Sequence, residues 1–277
     1  MAYFRLYRAQ IFRIQLPLIP DDYPGGETML RRVLAEDRLE RTLKTRKYFL
    51  VAKQVINDNA VMFKFARTRK VNTVDFDGDD FYKVAHPDHP FVHVLFDLKL
   101  QICAIERNSN FSSDVDWSAQ SLAKMLAESH VVKMYNCEVA FDAIRDPTEL
   151  IEYVRKASQI INVFFDVRRV NVFEPNDFIP ALKRLNQEAD AIKSRTSLDG
   201  ASIKNDVAEG LIRISASTGE DAGATFRMVG DRDYTKKSLG RSFISVSWPE
   251  DISETASQLL DAVKGAFRKV RRDIDDQ

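Results

Sequence analysis

Cysteine is nearly absent from this chain: Cys103 and Cys137 are the only two in 277 residues. Each lies inside an apolar, strand-like run and neither belongs to a paired spacing. That excludes a disulfide framework and a cysteine-based zinc site. It predicts two buried thiols in a reducing cytoplasm. Glycine is scarce too, with ten residues, which is poor for a protein that cradles phosphate. No P-loop, dinucleotide fingerprint, nucleophile elbow or kinase set occurs. A run of eighteen apolar residues is missing, so no transmembrane helix is expected. The first residues, MAYFRLYRAQIFRI, mix apolar and basic side chains and lack the continuous apolar core of a signal peptide. Net charge is also lacking, since Lys plus Arg and Asp plus Glu both number 41. This argues against a generic polyanion binder and leaves room only for a local basic patch.

What is present is an ordinary soluble composition, 44% apolar and 30% charged, in a chain long enough for one large domain or two modest ones. The chain is organised around FVHVLFDLKLQICAIERN, Phe91 to Asn108. Two apolar runs, Phe91–Phe96 and Leu100–Ile105, flank a short break at Asp97, Leu98 and Lys99, which reads as an antiparallel hairpin. Val92, Val94, Phe96 and Leu98 share one face; Phe91, His93, Leu95 and Asp97 share the other. Both faces carry bulk, so the hairpin belongs inside the fold.

Before it, Tyr3–Ile14 alternates as a strand. Gly26–Arg46 has the apolar spacing of a helix, with Met29, Leu30, Val33, Leu34, Leu39 and Leu43 inward. Tyr48–Val55 and Ala60–Ala66 read as strands, and Val71–Val84 as a strand or hairpin returning to the sheet. After Asn108 the pattern changes. Asp114 or Asp116 caps a helix with Leu122, Met125 and Leu126 inward, then a strand follows at Cys137–Ile144. Asp146 and Pro147 open another helix, and Ile160–Phe173 is a long strand. Strand, helix, strand, helix, strand is an α/β signature. Helices are then predicted over Phe178–Ser194, Ile203–Ser217 and Glu254–Ile274, strands over Ala224–Val229 and Ser242–Trp248, and loops over Arg195–Ser202 and Gly230–Arg241. The expected fold class is α+β: an antiparallel N-terminal sheet with one helix (residues 1–110), then an α/β half (residues 111–277) ending in a long amphipathic helix. The two halves can share one sheet.

Four groups of residues invite a chemical reading. His86, His89 and His93, beside Asp88 and Asp97, are metal-ligand types, but their spacing fits no motif and Pro87 and Pro90 restrict convergence. Asp97 and Glu106 sit on neighbouring runs, as in magnesium nucleases that hold an Asp on one strand and Glu-x-Lys on the next; here Glu106, Arg107, Asn108 lacks the lysine. Asp75, Asp77, Asp79 and Asp80 fail the calcium-loop pattern, whose twelfth position is His86. The loop GDRDYTKKSLGR carries Arg232, Lys236, Lys237 and Arg241 beside Tyr234, a basic tip able to grip phosphate and stack a base. Arg268 and Lys269 on the last helix, and Arg168 and Arg169, can enlarge the patch. No metal and no cofactor are expected.

The segment HPFVHVLFDLKLQICAIERNSNFS, the helix after it, the strand near Cys137 and the strand ending VFEPN resemble a pattern in uncharacterised bacterial proteins carried in phage-defence and mobile-element loci. The resemblance spans roughly residues 85 to 180 and carries over no site residues. It implies a defence role in which nucleic acid or a partner protein is sensed. The leading expectation is therefore a cytoplasmic, non-catalytic antiviral-defence component that binds DNA or RNA through Arg232, Tyr234, Lys236, Lys237, Arg241, Arg268 and Lys269. The alternatives are a metal-dependent nuclease using Asp97 and Glu106, which requires converging carboxylates, and an assembly subunit that contacts only protein, whether a partner or another copy of itself.

Overall fold

The hairpin expected at Phe91–Asn108 forms, and it lies in the interior of the largest sheet. The computed structural model describes residues 1–13, 24–43, 45–76, 78, 80–168, 193–249, 252 and 254–271. In chain order the N-terminal half contains β1 (Ala2–Arg13), α1 (Gly26–Val33), β2 (Leu39–Leu43), β3 (Arg46–Asn57), β4 (Ala60–Arg67), β5 (Arg69–Phe76), β6 (Phe81–Asp88), β7 (Phe91–Asp97) and β8 (Ile102–Glu106). The rest contains α2 (Val115–Ala127), α3 (His130–Met134), β9 (Cys137–Ala143), α4 (Thr148–Lys156), β10 (Ala157–Arg168), β11 (Lys193–Asp199), α5 (Asn205–Thr218), β12 (Ala222–Met228), β13 (Thr235–Ser238), β14 (Ser245–Trp248) and α6 (Ala256–Arg271).

The main sheet has the order β14-β1-β8-β7-β4-β3-β2, with β9 also pairing β1. A second sheet has the order β11-β10-β12-β13, and β5–β6 is a separate hairpin. Every pairing among the described strands is antiparallel. The fold is of the α+β class. Helices and strands do alternate after Asn108, but among the described residues no parallel crossover unit forms. β9 and β14, from the C-terminal half, close on β1, so the two halves share one sheet.

Each face of the main sheet has its own core. On one face Tyr7, Phe63, Phe65, Val94, Phe96 and Ile105 pack under α1, α2 and α3. On the other, Phe4, Leu6, Met62, Leu95 and Ala104 meet Leu259, Val263 and Phe267 of α6, and that core continues through α5 and α4 into the second sheet. Period-two alternation in β7 sends Val94 and Phe96 one way and Leu95 the other. The Asp114 side chain caps α2 by accepting the Asp116 N–H at 2.8 Å.

Several expected elements differ. The helix from Gly26 stops at Val33, and Leu39–Leu43 is a strand on β3. A spacing of four puts Leu39 and Leu43 on one face of a helix or of a strand, so the periodicity did not separate them. Val71–Val84 does not return to the main sheet but pairs within β5–β6. Arg195–Ser202 is largely strand β11 rather than loop, and Gly230–Arg241 contains strand β13. Most of the helix predicted at Phe178–Ser194, the end of the strand predicted to Phe173, and Ile274 lie outside the described residues.

Phe96 is fully buried, 6.1 Å from the Phe141 ring centroid. Phe96→Ala is expected to destabilise the protein by roughly 3–5 kcal/mol in urea denaturation, as a cavity this central cannot collapse.

Candidate nucleic-acid interface

Among the described residues, one face of the second sheet packs on α5; on the other, Phe164 and Asp166 are buried, at 6% and 4% exposure, while Arg195 and Lys236 are exposed. Ile160, Val163, Phe165, Ala224 and Phe226 point into the core with Leu211, Ile212 and Ala216 of α5. The residues between them point outward. Across β10 and β11, Asp166 stands opposite Arg195, Phe164 opposite Ser197 and Asn162 opposite Asp199. Across β12 and β13 the outward row continues through Gly223, Thr225 and Lys236.

Phe164 is the centre of this face. Its ring lies on Gly223, where a Cβ would stand 2.4 Å from ring carbon Cε1 and 2.5 Å from the Lys237 carbonyl oxygen. Glycine is thus required for the close approach of ring and strand. The Arg195 guanidinium carbon is 4.7 Å from the ring centroid and Lys236 Nζ is 5.1 Å from it. Arg195 donates in a fork to buried Asp166, Nε to Oδ1 at 2.7 Å and Nη2 to Oδ2 at 3.0 Å, and reaches Asp221 at 3.5 Å. The hydrogen bonds to Asp166 raise the guanidinium pKa above its ordinary value. The side chain is still 56% exposed, so a fixed, planar cation faces solvent.

A second cation–aromatic pair adjoins it. The Arg227 guanidinium carbon is 5.3 Å from the Tyr234 centroid, and both side chains donate to Gln159 Oε1, at 2.6 Å and 2.9 Å. Tyr234 is 42% exposed. Arg232 is exposed in the same turn.

The structure does not bring the expected basic residues together. Lys236 and Lys237 are consecutive in β13 and therefore face opposite ways. Lys236 joins Phe164; Lys237 lies 5.1 Å over the Tyr153 ring on the α4 side, in a hollow also lined by Glu149 and Glu152. Arg268 and Lys269 are on α6, which packs on α5, behind the covered face of the sheet. Arg241 is exposed beyond the end of β13, and Arg169 is outside the described residues. Tyr234 and Lys236 are the members whose contacts join them to the outward row, and Arg232 is exposed in the turn before β13. Phe164, Arg195 and Arg227 join them without having been foreseen. Their signal was the alternation of Asn162, Phe164 and Asp166, matched by Arg195, Ser197 and Asp199.

Asp97 and Glu106 do not converge. In the antiparallel register Asp97 stands opposite Ile102 and Glu106 lies beyond Ile105, which faces Val94. Four residue steps separate them, about 13 Å at the usual strand rise. Asp97 instead accepts from the Leu100 N–H at 2.8 Å and pairs with Lys264 of α6 at 3.3 Å. Glu106 accepts from the N–H and Nδ1 of His93, at 2.9 Å and 2.7 Å. His89 Nδ1 is 3.3 Å from Thr68 Oγ1, and His86 is in β6 opposite Val71. Among the described residues no three His, Cys, Asp or Glu side chains are placed to hold a metal ion; Asp77 and Asp79 are outside that set. Cys103 and Cys137 are both buried, and burial raises the Cys103 thiol pKa.

No protein-family model matches the chain, and no curated protein matches it.

Two outcomes are expected from these contacts. Gly223→Ala should lower stability by roughly 1–3 kcal/mol, read by thermal denaturation, because a rigid ring and a backbone carbonyl must both move. Lys264→Met should cost roughly 3–5 kcal/mol by leaving a buried carboxylate without its cation. Asp97→Asn combined with Lys264→Met should recover part of that loss, and strictly additive effects in the double-mutant cycle would show the pair is not coupled.

Proposed function

We propose that this protein is a non-catalytic antiviral-defence component that binds single-stranded nucleic acid at the exposed cations and tyrosine on the outward side of its second sheet. The observation that carries the reading is the pairing of cations with aromatic rings there: Arg195 and Lys236 over Phe164, and Arg227 over Tyr234. The exposed Arg195 guanidinium and a half-exposed tyrosine offer stacking surfaces that any base can use, and the cations sit where a phosphate backbone would track. The polar amides of Gln159 and Asn162 lie on the same strand. The separation of Asp97 from Glu106 speaks against the nuclease alternative. The resemblance of residues 85–180 to proteins of phage-defence loci supports the defence role. Two buried cysteines fit a reducing compartment, the cytoplasm. No helix among the described residues is long and apolar enough to cross a membrane.

The test is fluorescence-anisotropy titration with dye-labelled single-stranded RNA and DNA across a salt series. Tyr234→Ala with Lys236→Ala should weaken binding about tenfold or more and flatten the salt slope by about one unit, the loss of one phosphate contact. Lys237→Ala, on the other face, should leave affinity unchanged. Absence of binding at low salt, or equal effects of the two lysine replacements, would refute the assignment.

A further inference from the structure

Arg67 ends β4, the strand that sends Phe63 and Phe65 into the core under α2. It stands opposite Tyr48 of β3, and directly opposed residues share a face of the sheet. Arg46, two residues before Tyr48 on the same strand, falls on that face as well. Over this corner lie Phe111, from the loop before α2, and Trp117, from the first turn of α2. The Arg67 guanidinium carbon is 4.9 Å from the Trp117 centroid and 5.3 Å from that of Phe111. The two rings are 6.1 Å apart and tilted by 53°, so the cation sits in the angle between them. The core under α6 and the second sheet is on the opposite face of the main sheet.

Aromatic rings hold a guanidinium without cancelling its charge. Among the described residues no acid does so either. Arg67 makes no ion pair and its Nε is buried without an acceptor; Arg46 is exposed and makes no ion pair. The neighbouring acids are engaged elsewhere. Glu40 stands opposite Phe49, on the other face of β3, and holds Arg38 at 3.0 Å and Lys47 at 3.6 Å. Asp88 takes Arg69 at 2.7 Å. Asp114 accepts the Asp116 N–H, and Asp116 takes Arg5 and Tyr7. Burial pushes the Arg67 guanidinium pKa down, and Arg46 and Arg69 push it the same way, while Tyr48 opposes them. The Tyr48 hydroxyl and the Trp117 indole N–H can both donate, and neither has an acceptor among the described residues.

Two guanidinium groups without counter-charges, beside two further donors, match one ligand chemistry. A phosphate monoester carries about two negative charges at neutral pH and three acceptor oxygens on one centre. A carboxylate brings one charge and fills a single guanidinium fork. A phosphodiester also brings one charge, on two free oxygens.

We propose that Arg46 and Arg67, with Tyr48 and Trp117, form a binding site for a phosphate monoester dianion, either inorganic phosphate or the phosphate of a small phosphorylated molecule. The anion completes an ion pair that the fold leaves open, in a half-buried place where such a pair is stronger than in water. The site is separate from the proposed nucleic-acid interface, and its selectivity differs, since the internal phosphates of a nucleic acid are diesters.

The test is isothermal titration calorimetry of the whole protein at constant ionic strength, with methyl phosphate, inorganic phosphate, dimethyl phosphate and acetate as probes. Methyl phosphate and inorganic phosphate should each bind about tenfold or more tighter than dimethyl phosphate or acetate. Tighter binding of methyl phosphate than of inorganic phosphate assigns the site to an esterified ligand, and the reverse order assigns it to free phosphate. Arg46→Glu, at an exposed position, should weaken methyl phosphate binding about tenfold or more with the thermal transition kept. Lys47→Glu makes the same charge change one residue on, on the other face of β3, and should leave binding unchanged. The proposal is overturned if wild-type protein binds neither methyl phosphate nor inorganic phosphate at about 10 mM; Arg67 is then only packed against its rings. It is equally overturned if dimethyl phosphate or acetate binds as tightly as methyl phosphate, or if the two charge reversals act alike. The comparison of probes uses wild-type protein alone and does not depend on either variant folding.

Discussion

Both edges of β1 are taken, and by strands from different parts of the chain. β8 occupies one edge over Phe4–Arg8; β14 and then β9 share the other, over Ala2–Arg5 and Tyr7–Arg13. This double pairing makes the C-terminal half part of the N-terminal sheet. The junction between β14 and β9 is a three-way exchange: Leu6 donates to Ile244, Ile144 donates to Leu6, and Ile244 donates to Ile144. No backbone group is orphaned where one neighbouring strand gives way to the next, which is the condition for burying such a junction. The core under α6 and the second sheet is built outward from it.

Charge is used inside this framework in a consistent way. Several charged side chains tie one layer to another. Asp97 binds the β7–β8 turn and reaches Lys264 across to α6. Arg8, buried on β1, donates to the Leu100 carbonyl and lies 5.9 Å from the Phe267 centroid of α6. Asp116 of α2 takes both Arg5 at 3.0 Å and Tyr7 at 2.8 Å, and burial together with this bond raises the tyrosine's pKa. Such pairs add little net stability over apolar replacements, but an unmatched register leaves a charge stranded in a low-dielectric core. They restrict how the helices can seat on the sheet.

How much of this could be read in the residues depended on whether burial imposed a period. The β7–β8 hairpin was legible because both of its faces are buried and Val94, Phe96 and Leu95 alternate cleanly. The α6 stripe of Leu259, Val263, Phe267 and Val270 was legible for the same reason, while the cap of α2 was legible only as Asp114 or Asp116. β11 was not, because KSRTSLD, at the edge of its sheet among the described strands, has Arg195, Ser197 and Asp199 exposed and leaves no apolar rhythm. Lys236 and Lys237 looked like one patch, since adjacency in sequence says nothing about faces until the strand is known. Asp97 and Glu106 looked like neighbours because the runs are adjacent; the antiparallel direction sends them to opposite ends. The candidate interface was visible only through Tyr234 and its basic neighbours. Phe164 and Arg195 become partners through a register between β10 and β11, which composition does not encode.

The pairing of Ala2 with Trp248 also has a consequence for biosynthesis. A chain growing from its N-terminus presents β1 long before β9 and β14 exist. At ordinary elongation rates of about 5–20 residues per second, the interval is on the order of ten seconds or more. During it one rim of the nascent sheet has neither of its native neighbours. That rim alternates Phe4 and Leu6 with Tyr7, Ala9 and Ile11, so it is apolar on both sides and adhesive to other chains. The topology therefore makes completion of the sheet a late, non-local step in maturation.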